Sequence, residues 1–373
     1  MAGQHNGVPL DVEILTRRGW VAHDHIVVGD ETLGFNFDTG QTEWTSITSV
    51  SRFEDAEVFE AGNNRGWTVQ ATAGHRWITQ GGPHGNYRVA TTLDRTQDSW
   101  LVAAPMADGP GIDLTNGEAE LLGWLMTDGS QWDATTPCSF DGCGAYARSH
   151  GLCGSHRRQQ RAGKQLQPLR RHPHRAAPDF SLFIWQSKPK GQQRLRFLLG
   201  AKAGFNGKGF RLHDAYARDL LQRAGLTHIK NADELLAVQL RMTRAQRRLL
   251  LGGVISGDGT PRIGKGDPVV DATSGRANRW KILQDEGPLL EVMATLAYLC
   301  GYRVRAIKRS FSDGQKRNGV NMWLSLASPR VSTYRRQQRR IGRMPVWCST
   351  TKLGSWSARA GHSVFLSTNS HVR

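Results

Sequence analysis

The first hundred positions alternate hydrophobic and polar residues in short bursts. The runs "VEILTRRGW", "ETLGFNFDTGQTEW", "SITSVSRF", "EVFEAGNNRGWTVQAT" and "HRWITQ" are rich in β-branched and aromatic residues. Asp-Thr-Gly and Gly-Asn-Asn-Arg-Gly punctuate them, so the stretch predicts strands joined by turns. None of it holds a helical period. The segment "APMADGPGIDLTNG" (104–117) reads as a Pro/Gly/Asp linker. After it the period changes. "EAELLGWLM", "LRFLLG", "HDAYARDLLQRAG", "RAQRRLLLGGVI" and "GPLLEVMATLAYLCG" space apolar residues three and four apart, and several end at Gly as helices do. The strand-like pieces "SLFIWQS" and "YRVRAIKRS" lie between them. The end of the chain, "MPVWCSTTKLGSWSARAGHSVFLSTN", returns to β texture. The pattern predicts an all-β domain in two parts, 7–105 and 341–369, interrupted by an α/β domain over 118–340. Insertion into an exposed loop is the simplest origin of such a layout.

Composition adds a partner class. Lys and Arg outnumber Asp and Glu by 49 to 32, a net charge of +17. The excess is clustered: 156–175 holds seven Lys/Arg and no acid, and 334–343 holds five Arg and no acid. Such runs neutralise phosphates and point to a polyanionic partner rather than a merely solubilising surface. No apolar run is long enough to span a membrane, and the opening "MAGQHNGVPL" lacks a signal-peptide pattern, so an intracellular setting is expected.

The cysteines add a metal. Of five, three lie at 138, 143 and 153, and Cys300 and Cys348 stand apart. "CSFDGCGAYARSHGLCGSH" spells Cys-x4-Cys-x9-Cys-x2-His, a ligand set suited to tetrahedral Zn²⁺. Cys138, Cys143, Cys153 and His156 would form a closed structural site in a small insert, 137–158, with His150 as a competing ligand. Its expected role is to fix the basic run beside it.

The centre contains an echo. "LLGWLMTDGS" (121–130) and "LGGVISGDGT" (251–260) each pair an apolar helix containing Gly with a terminal Asp-Gly. Gly inside a helix costs about 1 kcal/mol against Ala, so Gly123, Gly252 and Gly253 suggest close helix packing. Asp128 and Asp258 fall at the negative end of a helix dipole, which disfavours them. A divalent cation such as Mg²⁺ would offset that penalty and serve phosphodiester cleavage. The pair resembles the LAGLIDADG motifs of homing endonucleases. The resemblance implies that the two helices form a pseudo-twofold interface and that Asp128 and Asp258 bind metal over the DNA minor groove. It also implies an accessory Lys, for which Lys230 is the nearest candidate, displaced by one residue.

The β flanks resemble the Hint domain of inteins, a horseshoe-like β fold that splices proteins. "LDVEILTRRGW" is similar to the opening intein block, "ATAGHRW" to the block carrying Thr-x-x-His (Thr72 and His75), and "VWCSTT" and "VFLSTN" to the closing blocks. Counting back sets the first intein residue at Gly7, where Cys or Ser is usual, and Thr368 stands where His usually precedes the terminal Asn369. Class 3 inteins lack the first nucleophile and use an internal Cys. Their marks are matched by Trp77 and Cys348, with Ser367 in place of a Thr.

The resemblance implies attack by Cys348 on the Asn6 carbonyl, helped by Thr72 and His75. Acyl transfer to Ser370 and cyclisation of Asn369 would follow, joining the flanks 1–6 and 370–373. Thiolate, a few per cent of an unperturbed Cys near neutrality, makes Cys348 the best nucleophile available. The implied partners are host-protein exteins and duplex DNA containing the unfilled insertion site, with the chain a monomer. Two alternatives stay open: a stand-alone homing endonuclease with an inactive Hint remnant, and a DNA-binding protein that neither cuts nor splices.

Overall fold

The computed structural model describes residues 6–62, 67–82, 85–94, 99–133, 139–140, 154–167, 180–262, 264–308, 320–331 and 337–369. The chain divides into two compact units, one of residues 1–123 with 230–373 and one of residues 124–229. Both boundaries fall within or beside the α/β stretch.

In the larger unit, nine strands among the described residues form one antiparallel sheet. Its path runs Val8–Pro9, Gln337–Thr351, Gln41–Gly62, Glu31–Asn36, Glu13–Thr16, Ser355–Ala360 and Ser363–Thr368. The first and last strands of the chain thus belong to one sheet. A second sheet orders Arg330–Val331, Ser99–Leu101, Arg76–Gln80 and Tyr87–Thr91. Alternating apolar residues from both sheets meet in one core, whose large members are Trp67, Trp77, Trp100, Trp347, Trp356 and Phe365. Burial of aromatics on this scale is the main favourable contribution to folding here.

Two features differ from the sequence expectation. Residues read as three β segments form one strand of 22 residues, Gln41–Gly62. Its middle pairs with Gln337–Thr351 as a ribbon, where Arg52, Glu54 and Asp55 are exposed. With neither face buried, the alternation that marks a strand is lost there. The segment expected as a free linker is instead docked. Ala104, Met106 and Leu114 are buried, and Met106 N donates to the Leu299 carbonyl at 2.9 Å. Buried Arg247 donates to the carbonyls of Met106 at 2.7 Å and Ala107 at 2.6 Å.

The α/β stretch repeats a plan. The helix Asn116–Asp128 leads into Gly129–Asp133, the first strand of a four-stranded sheet. The helix Arg244–Asp258 leads in the same way into Gly259–Pro261. Both sheets order their strands first, second, fourth, third along the chain. In each, the second strand is followed by a helix, Pro189–Leu199 and Pro288–Leu299 respectively. The helix glycines account for part of the echo. A Cβ on Gly253 would sit 2.1 Å from the Glu120 carbonyl oxygen and 3.0 Å from Gly123 Cα, so the two backbones touch there. Gly252 faces Val269 instead.

Candidate functional site

The site begins at the junction of the first strand. Gly7 N donates to Thr72 Oγ1 at 3.1 Å, and Thr72 N donates to the Gly7 carbonyl at 3.0 Å. These reciprocal bonds clasp the peptide that follows Asn6. Val8 pairs with Trp347, and one step back along this antiparallel ladder stand Gly7 and Cys348. The lack of a side chain at Gly7 is dictated by packing. A Cβ would meet Val346 Cγ2 at 2.8 Å and the Trp347 carbonyl at 3.2 Å. A Cys or Ser at this position would force the partner strand to shift.

Thr72 ends the strand Thr68–Thr72, and a tight turn follows in which His75 N donates to the Thr72 carbonyl at 3.1 Å. His75 is fully enclosed, and its Nε2 lies 3.2 Å from Ser367 Oγ. Burial pushes its pKa down to about 3, so the ring is neutral at physiological pH. Its Nδ1 is buried without a hydrogen-bond partner among the described residues. Trp77 packs its ring edge-on to His75 at 4.7 Å and stacks on Trp100 at 4.5 Å. Its indole Nε1 donates to Thr92 Oγ1 at 3.0 Å.

Cys348 lies in Gln337–Thr351, paired with Ser51, with its sulfur 3.6 Å from the Ser349 carbonyl. Desolvation pushes the thiol up to about 12. This corrects the expectation of a few per cent thiolate. At pH 7 the group rests as the neutral thiol, because the buried strand disfavours the charged form.

At the other end, Ser363–Thr368 pairs along its whole length with Ser355–Ala360. Thr368 Oγ1 donates to the Arg76 carbonyl, fixing the strand to the turn that carries His75. Asn369 is buried, its N donates to the Gly354 carbonyl at 3.0 Å, and its Nδ2 donates to the Thr351 carbonyl at 3.4 Å. Ser370 lies outside the described residues. Thr92, Thr351 and Gly354 were not legible as site residues, since isolated residues after strands carry no spacing signal.

The two Asp residues of the echo belong to different units. Asp128 is the last residue of its helix, and its Oδ2 accepts from Gln186 Nε2 at 3.0 Å. Asp258 ends Arg244–Asp258. Both are half-buried carboxylates. The glycine after each has the same physical cause: a Cβ on Gly129 or Gly259 would sit 2.1 Å from the carbonyl oxygen of Leu125 or Ile255. Lys230 is exposed, just before the Asn231 cap of Ala232–Arg241.

Cys138, Cys143, Cys153 and His150 lie outside the described residues. His156 is described and buried in Gly154–Arg161, with Nε2 3.0 Å from the Gln167 carbonyl and the Phe140 ring 4.2 Å away. A carbonyl can only accept, so Nε2 is the donor in this pair. Among the described residues, no group of three or more His, Cys, Asp or Glu could hold a metal ion. No helix among them is long and apolar enough to cross a membrane.

No family model matches the chain, and no curated protein matches it. The solved structures it resembles include inteins. One is the AceL NrdHF class 3 split intein in a splice-inactive form, with 18% identity over 26% of this chain and 65% of that one, at a TM-score of 0.24. Others are a DnaB intein from Synechocystis sp. PCC 6803, with 18% identity over 26% of this chain and 67% of that one, TM-score 0.22, and the gp41-1 intein, with 16% identity over 26% and 67%, TM-score 0.20. The chain therefore spans just under two thirds of the first of these inteins, and the likeness extends to about a quarter of its own length.

Proposed function

We propose that this chain is a self-splicing intein that excises residues 7–369 and carries a site-specific DNA endonuclease. The observation that supports splicing best is the clasp at Asn6–Gly7: Thr72 holds both backbone groups of Gly7, beside the pairing of Val8 with Trp347, the residue before Cys348. The Cys348 sulfur attacks the Asn6 carbonyl carbon. The Asn6–Gly7 bond breaks, and the thiol proton ends on the Gly7 nitrogen, leaving a thioester on Cys348. Thr72 Oγ1 sits against that leaving nitrogen. In this reading His75, which lies beside Ser367 at the end of the turn from Thr72, relays the proton to that nitrogen. The Ser370 hydroxyl then takes the acyl group and returns a proton to Cys348. Asn369 Nδ2 attacks its own carbonyl carbon, releasing Ser370 as a free amine with a succinimide at position 369. Migration of the acyl group from oxygen to nitrogen joins Asn6 to Ser370. No water or cofactor enters this sequence.

The endonuclease reading rests on the repeated helix-and-sheet plan with Asp-Gly at each helix end, and on the net charge of +17. Asp128 and Asp258 would hold a divalent cation such as Mg²⁺, which when bound supplies Lewis acidity and an activated water. Lys230 is the accessory cation in this reading, and Cys138, Cys143, Cys153 and His156 would hold a structural Zn²⁺. The partners are the flanking exteins and duplex DNA with an unfilled insertion site, and the chain acts inside the cell as a monomer.

Intact-mass analysis of wild type beside Cys348→Ala tests the splicing reading. The expected products are the 7–369 segment and the peptide 1–6 joined to 370–373, both lost in the variant. A wild type that stays whole overturns it. For the nuclease, Asp128→Asn is expected to abolish Mg²⁺-dependent duplex cleavage and leave splicing unchanged, and a variant that still cuts refutes the assignment.

A further inference from the structure

We infer that Thr92 is a positioning residue for cleavage of the Asn6–Gly7 bond, linking the Trp77 indole to the clasp on Gly7. The inference rests on the splicing reading above.

Thr92 follows the strand Tyr87–Thr91 and is fully buried. Its hydroxyl accepts from Trp77 Nε1 at 3.0 Å and donates to the His75 carbonyl at 3.2 Å. Its backbone N donates to the same carbonyl at 2.8 Å. One residue thus supplies two hydrogen bonds to a single carbonyl. The chain continues without a gap. His75 N donates to the Thr72 carbonyl, Thr72 N to the Gly7 carbonyl, and Gly7 N to Thr72 Oγ1. The Thr92 carbonyl accepts from Gln338 Nε2 at 2.7 Å, and Gln338 lies on the strand that carries Cys348. Thr92 therefore ties the turn 72–75 to the nucleophile's strand.

This gives Trp77 a physical role. Its ring is held by stacking on Trp100, and its one polar atom is spent on Thr92. His75 needs such support, because its ring makes one hydrogen bond, to Ser367, among the described residues. Backbone restraint then decides where the imidazole and Thr72 sit. Small displacements of such groups slow a reaction steeply.

The test isolates the first step. In a chain carrying Asn369→Ala, hydroxylamine releases the acyl segment 1–6 once Asn6–Gly7 has been cleaved. Adding Thr92→Val, which keeps shape and removes the hydroxyl, is expected to slow that release at least about tenfold. Thr92→Ser is expected to restore most of the rate. Trp77→Phe is expected to slow release alone but to add little to Thr92→Val, since both break one relay. Melting temperatures measured alongside separate this from loss of fold. If Asn369→Ala releases nothing, the splicing reading itself fails. If it releases segment 1–6 and Thr92→Val matches its rate, the inference about Thr92 is wrong. Additive effects of the Trp77 and Thr92 changes also overturn it.

Discussion

In the splicing reading, the chemistry turns on two groups that burial holds neutral. His75 is pushed down to about 3 and Cys348 up to about 12. Attack on Asn6 needs thiolate, so the first cleavage should rise about tenfold per pH unit between about pH 6 and 9. No inflection is expected near 6.5, because His75 does not titrate there. A plateau or bell centred near 6.5, measured as the rate of segment 1–6 release, would contradict this. The same shifts set stability. Unfolding lets His75 bind a proton below about 6.5, so stability is present above that pH and is lost as pH falls towards 3, by up to about 1.4 kcal/mol per unit. Cys348 acts at the other extreme: its contribution is intact below about 9 and is lost as pH rises towards 12. Gly7 supplies a second prediction at this scale. Since a Cβ there meets Val346 at 2.8 Å, Gly7→Cys is not expected to restore splicing to Cys348→Ala. Mass analysis of the double variant checks it, and recovered product would show that position 7 tolerates a nucleophile.

At the scale of elements, the helix crossing at Gly123 and Gly253 is the most demanding contact. Gly253→Ala drives a methyl to 2.1 Å from the Glu120 carbonyl, whereas Gly252→Ala meets Val269 Cα at 3.1 Å. The first should cost about 1–3 kcal/mol or more and the second less. Thermal melts that rank them the other way would refute the packing argument. These glycines were legible in the sequence because a helix rarely tolerates them without cause. So were the strands facing the tryptophan core, where alternation is sharp; Thr72, His75 and Cys348 were singled out by their ordered blocks, and their roles belong to the splicing reading. The ribbon within Gln41–Gly62 was not, since residues exposed on both faces carry no alternation. The segment 104–117 misread as a linker because Pro, Gly and Asp look solvated, while its backbone is satisfied by Arg247 and Leu299 from distant sequence. Thr92 could not be found at all, since its importance lies in a partner 15 residues away.

For the whole molecule, the α/β insert is not simply appended to the β sheet. Helix Pro288–Leu299 reaches the nine-stranded sheet through three polar contacts. Trp20 Nε1 donates to Thr295 Oγ1 at 3.2 Å, the Tyr298 hydroxyl meets Ser357 Oγ at 2.7 Å, and Arg359 pairs with Glu291 at 2.7 Å. Ser357 neighbours the closing strand and donates to the Leu33 carbonyl at 3.0 Å. Deleting residues 118–327, up to the last strand of the insert's second sheet, leaves Trp20 and Ser357 without these partners, so the shortened chain should melt lower and splice more slowly than the full one. Equal melting and splicing would show the insert to be separable. The charge of +17 belongs to this scale too. Duplex binding followed by anisotropy should weaken on the order of 10³-fold between about 50 and 200 mM salt. Salt-insensitive binding would remove the electrostatic account.

The central claim is that Cys348 receives the acyl group of Asn6. A chain carrying Asn369→Ala and Ser370→Ala should stop at that stage, its mass unchanged but with two amino termini, Met1 and Gly7. Tandem mass spectrometry of this chain, digested at acid pH, is the most direct measurement. A peptide in which Asn6 is linked through its carbonyl to the sulfur of Cys348 is the predicted result. Met1 as the sole amino terminus, or the acyl group on any other residue, would contradict it.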